Sequence, residues 1–214
     1  MTHTLHREAG CSGNVRDLIF LCTPAKGVNS AGSAPRLARI LDILHELGPA
    51  NMGFYECTDA AETCSVEEAK ERLHDHSRLR CVFDDRDKLV EVLRRVERES
   101  TGLSVAVTGP LEEVLEIARE VGLTPHTVNL SLGVFGRTSL LPSKEVREVS
   151  TMCGHGLISF RLVEETLVAL RRGEITAEKS VRRLDRPCSC GMLNPTRARE
   201  ILDGVATEGG EAPG

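Results

Sequence analysis

The stretch Leu141-Pro142-Ser143 divides this 214-residue chain into two patterns. Upstream, short apolar runs alternate with amphipathic stretches. Downstream, every periodic stretch repeats at helical spacing. A proline cannot continue a ladder or a helix interior.

Upstream of that break, Thr127 to Val134 alternates strictly. Val128, Leu130, Leu132 and Val134 face one way, and Thr127, Asn129, Ser131 and Gly133 face the other, which predicts a half-buried strand. Thr108-Gly109-Pro110 opens a helix carrying Leu111, Val114, Leu115, Ala118 and Val121, and Gly122 stops it. Leu103–Val107 reads as a strand. Asp84-Asp85 starts a helix with Leu89, Val92, Leu93 and Val96 on one face, preceded by a strand at Leu79–Phe83. A short charged helix is expected at 66–74 and a strand at Met52–Cys57. Leu37, Ile40, Leu41 and Leu44 mark another helix, with Ser33 as its expected cap and Gly48 as its stop. Leu18–Cys22 is apolar throughout, as a buried strand requires.

Downstream, helices are expected at 143–152, 160–172, 177–185 and 195–203. Gly173 and Gly204 are the stops, Thr176 and Asn194 the caps, and Pro195 stands at a first helical position. The predicted fold class is therefore α/β. A polar arm (1–15) precedes a layered sheet-and-helix domain (16–141). A small all-helical metal-binding segment follows (142–204), then a tail that is disordered by composition (205–214).

Composition narrows the function. Aromatics make up 3% of residues and Trp is absent, so the core must be aliphatic. A formal net charge of -5 and a pI of about 5.8 argue against nucleic-acid binding, which needs a basic footprint. No apolar run approaches a membrane span, and the start MTHTLHREAG lacks the apolar core of a signal peptide. The chain is expected to be soluble and cytoplasmic. Its eight cysteines then read as packed residues, metal ligands or redox groups rather than a disulfide frame.

Two heptapeptides sharpen that reading. CGHGLIS (Cys153–Ser159) and CSCGMLN (Cys188–Asn194) match in pattern: Cys, any residue, His or Cys, Gly, two apolar residues, and a helix cap. Thiolate and imidazole are the ligands that borderline and soft metals prefer. A glycine after the second ligand lets the backbone turn with positive φ. Cys153, His155, Cys188 and Cys190 together make a four-ligand set. CxC is tighter than the CxxC of most zinc sites, so an iron–sulfur cluster ([4Fe–4S] or [2Fe–2S]) is the first expectation. In one version three cysteines leave an iron open to a small molecule or sulfur species, with His155 as an acid or base beside it. The alternative is a zinc ion stapling the helical segment to the α/β domain in a binding or regulatory module. A third reading is a metal-free protein using Cys188-Ser-Cys190 for thiol–disulfide exchange.

Other residues suggest a small-molecule ligand. His126, Asn129 and Ser131, the candidate catalytic residues besides His155, flank or line the polar face of the expected Thr127 strand, and Arg137 can grip a carboxylate or phosphate. The Thr23–Ser33 loop, with Lys26, lies where anions bind in α/β folds but lacks phosphate-loop spacing. Cys22 and Cys81 are expected in the core, and His74 and His76 in solvent. Cys57 and Cys64 read as unrelated cysteines, with a redox pair as the alternative. His3, His6 and Cys11 offer at most adventitious binding. A homodimer contact is expected on the aliphatic C-terminal helices.

Overall fold

The run Leu18–Cys22 has no polar face to offer water, and it becomes an inner strand. The structure is a computed structural model that describes residues 7–8, 17–53 and 65–208. Among the described residues, four strands, β1 (Leu18–Thr23), β2 (Asn51–Gly53), β3 (Leu79–Phe83) and β4 (Ser104–Thr108), form one sheet in the order β2-β3-β1-β4. Every pairing is antiparallel: Phe20 lies opposite Cys81 on one side and Val107 on the other, and Met52 lies opposite Cys81. β1 and β3 are buried on both faces.

The helices α1 (Ala34–Leu47), α2 (Val66–Arg72), α3 (Arg86–Glu99) and α4 (Leu111–Glu120) intervene between these strands or follow them. Leu37, Ile40, Leu41 and Leu44 of α1 and Leu89, Val92 and Leu93 of α3 pack with Leu18, Phe20, Cys22, Leu79, Cys81 and Phe83 into one aliphatic core. The protein is thus mixed α/β with an antiparallel sheet. Beyond it lie α5 (Lys144–Met152), α6 (Phe160–Arg171), α7 (Ala177–Asp185) and α8 (Pro195–Glu208). By internal contacts the chain divides into two units. One is Arg16–His126 with the short turn Ser189–Met192. The other is Met1–Val15, Thr127–Cys188 and Leu193–Gly214.

Three local expectations need correction. The strand expected from Thr127 to Val134 is not formed: the segment has no regular secondary structure and is exposed throughout. Alternation suits a pleated ribbon, but a strand exists only when a partner accepts its hydrogen bonds. Ser33 does not cap α1 through its side chain. Its hydroxyl donates instead to the Asp75 carbonyl, at 3.0 Å. The Asp75 carboxylate accepts from the backbone of Gly32 (2.8 Å) and Ala34 (3.1 Å), so the cap comes from a distant loop. Gly204 does not stop α8, which continues to Glu208. Val205 is buried in that last turn, and packing outweighs the modest cost of a helical glycine. The expected strand at Met52–Cys57 is realised as β2 up to Gly53; Cys57 and Cys64 lie outside the described residues, as do His3, His6 and Cys11.

Candidate metal centre

Both heptapeptides fold as turns that end in a helix cap. In the first, the Ser159 hydroxyl accepts from the Leu162 amide at 3.2 Å and opens α6. In the second, Asn194 Oδ1 accepts from Thr196 (3.1 Å) and Arg197 (3.2 Å) and opens α8. The glycine after each second ligand has positive φ, +72° at Gly156 and +64° at Gly191. Only glycine takes that conformation without strain, and it turns the backbone back past the preceding ligand. The apolar anchors differ between the copies. Ile158, Met192 and Leu193 are buried, whereas Leu157 is 43% exposed. Ser150 of α5 pins the first turn by donating its hydroxyl hydrogen to the Ile158 carbonyl.

The turns bring three of the four expected ligands together. One ligand atom each from Cys153, His155 and Cys190 lies within 4.8 Å of the others. Cys153 Sγ and His155 Nδ1 are 4.0 Å apart. Both thiols are buried, while His155 is exposed. These three residues could hold a metal ion. Cys188, two residues before Cys190, is buried but is not one of the three; its Sγ accepts a hydrogen bond from the Leu193 amide at 3.3 Å.

Two features that sequence reading missed shape the surroundings. Beside α5, the Glu8 carboxylate accepts from Arg147 Nε (2.9 Å) and Nη2 (3.0 Å), its amide donates to Thr151 Oγ1, and Arg7 donates to the Met152 carbonyl, one residue before Cys153. Behind the second turn, Arg197 is buried in α8 with Nη2 3.0 Å from the Glu8 carbonyl and 3.9 Å from the buried Glu148 carboxylate of α5. A charged pair at low exposure gives no periodic signal, because Arg and Glu normally mark a helix's wet face.

The other sequence candidates are not gathered here. His126, Asn129, Ser131 and Arg137 are exposed along the irregular segment. Lys26 is exposed in a turn whose amides are largely satisfied from within the loop: Ala25 by Asn29 Oδ1, Gly27 by Ser30 Oγ, Val28 and Asn29 by the Ala25 carbonyl. With Asp75 already at the N-terminus of α1, the loop presents a carboxylate where an anion would sit. Cys22 and Cys81 are buried in the core, as expected. Burial pushes the Cys22 thiol up to about 12 and raises Cys81 well above its ordinary range, so both stay protonated and inert. His74 and His76 are exposed. Among the described residues, no helix is long and apolar enough to cross a membrane. No protein-family model matches this sequence, no curated protein matches it, and no solved structure matches its fold.

Proposed function

We propose that this chain binds a single zinc-type metal ion through Cys153, His155 and Cys190, with Cys188 the fourth thiolate. The bound ion ties the turn before α6 to the turn before α8. The observation that carries this reading is the 4.8 Å limit on the separations of the three ligand atoms. With metal–sulfur bonds of about 2.3 Å, two sulfurs on one ion stand at most about 4.6 Å apart, and about 3.8 Å apart in a tetrahedron. Cysteines on different irons of a cluster stand farther apart, because an iron–iron edge separates them. The role is a binding or regulatory module in which the metal supplies stability, since structural zinc contributes directly to folding.

A second reading rests on exposure. Cys153, Cys188 and Cys190 are buried, whereas His155 faces solvent. Three shielded thiolates with an accessible imidazole suit an iron–sulfur cluster that leaves one iron for a small molecule, His155 serving as acid or base. Protein purified without oxygen and analysed for zinc, iron and sulfide, alongside its visible spectrum, separates the readings. One zinc per chain and no colour supports the staple. Brown protein with iron and sulfide replaces it with the cluster. Metal-free protein that reversibly loses two thiols on mild oxidation overturns both in favour of thiol–disulfide chemistry at Cys188 and Cys190.

A further inference from the structure

We propose that Thr127–Val134 is an exchanged strand, which adds to the β4 edge of a second copy of this chain. The two halves of the pairing are visible separately. β4 ends the sheet, and among the described residues it pairs only with β1. Its sequence, SVAVT, carries no charge and no proline, the devices that normally blunt an open edge. The core also thins there. Val105, Val107 and Val114 pack against it yet stay partly exposed, whereas the β1 and β3 side chains that enter it are buried.

The segment after α4 has the complementary character. Val128, Leu130, Leu132 and Val134 are 51%, 62%, 87% and 69% exposed, and they share one face of a strand. No charged residue interrupts 127–136. An apolar run of this kind marks an interaction site. Eight residues in strand geometry span about 26 Å, enough to cover the five residues of β4. The new strand would bring its apolar row over Val105 and Val107, extending the aliphatic layer. It supplies side chains for specificity and main-chain hydrogen bonds for affinity, as in other strand additions. A second copy is the occupant because edge and strand are both present on every chain. Reciprocal exchange satisfies both in one closed, twofold assembly.

Sedimentation equilibrium and concentration-dependent hydrogen exchange on the full chain test this proposal. The expected result is a dimer at tens of micromolar, with amides of β4 and of Leu130 and Leu132 gaining protection together as concentration rises. A Leu130→Asp/Leu132→Asp variant should raise the dimer dissociation constant at least 100-fold and remove that protection. Its helical circular dichroism should be unchanged, because both side chains are exposed in the monomer. A wild-type monomer at every concentration overturns the proposal. So does protection that is independent of concentration, a dimer that persists in the variant, or a different protein found on the β4 edge.

Discussion

Gly53 and Gly191 occupy each other's missing side-chain space. A Cβ on Gly53 would meet the backbone of Cys190 and Gly191, and a Cβ on Gly191 would meet the backbone of Met52 and Gly53. The end of β2 thus runs directly against the turn that carries Cys190. Backbone cannot swing aside as a side-chain tip can, so either residue becomes irreplaceable.

The first prediction follows from that contact. Gly53→Ala and Gly191→Ala should each destabilise the protein by about 2 kcal/mol or more, the scale of overpacking against fixed neighbours. Gly191→Ala should be the worse, because its φ of +64° adds strain for any L side chain. Urea unfolding measures both. Gly122→Ala is the control, since it has positive φ but open space around it, and it should cost only about 1 kcal/mol. Equal losses at all three sites would show that the close approach contributes nothing.

Metal content should separate the cysteines cleanly. Cys153→Ala and Cys190→Ala should lose the bound metal, with affinity down at least 100-fold. Cys22→Ala should keep full stoichiometry, since Cys22 lies in the core and its thiol is held protonated. Chelation of the wild type should lower its melting temperature. The same chelator should leave Cys190→Ala unchanged. Elemental analysis and calorimetry report both, and a Cys190→Ala protein with wild-type metal content would remove this residue from the site.

The buried Arg197–Glu148 pair gives a third prediction. Arg197→Met should cost about 3 kcal/mol, the low end for breaking a buried ion pair, because Glu148 then keeps only Lys144, a largely exposed cation 3.7 Å away. A double Arg197→Met/Glu148→Leu variant should recover most of that loss. Double-mutant analysis of unfolding free energies is the measurement. Additive losses would show that the two charges do not depend on each other.

Acid should reveal the cap on α1. The amides of Gly32 and Ala34 hold the Asp75 carboxyl below its usual range. A depressed folded value means the carboxylate's stabilising effect is present above the unfolded value of about 3.9. That effect is lost as pH falls through the lower, folded value. Asp75→Asn should therefore melt at lower temperature than wild type near pH 6, and the gap should close toward pH 2. A gap of constant size across that range would show that the charge of Asp75 has no part in the cap.

Local chemistry was legible without the fold. The apolar periodicity at Leu37–Leu44 and Leu89–Val96, and the caps at Ser159, Thr176 and Asn194, act within a few residues of themselves. The helices and the inner strands β1 and β3 could therefore be read in order. The paired turns were legible for the same reason, because ligand, glycine and cap sit inside seven residues. What could not be read were relationships that close only across the chain. Asp75 caps a helix that starts 41 residues earlier. Arg197 reaches Glu8 across 189 residues. Gly191 meets Gly53.

The strand signal at Thr127–Val134 shows the same limit from the other side. A helix satisfies its backbone within its own turns, so its sequence can determine it. A strand needs a partner edge, which a periodicity cannot supply. The sequence by itself determined the helices, the caps at Ser159, Thr176 and Asn194, the aliphatic core and four candidate metal ligands. Only the tertiary structure decided the antiparallel order of the sheet and which of those four residues converge. It did so because hydrogen-bonded pairing and ligand separation depend on distances between residues far apart in the chain.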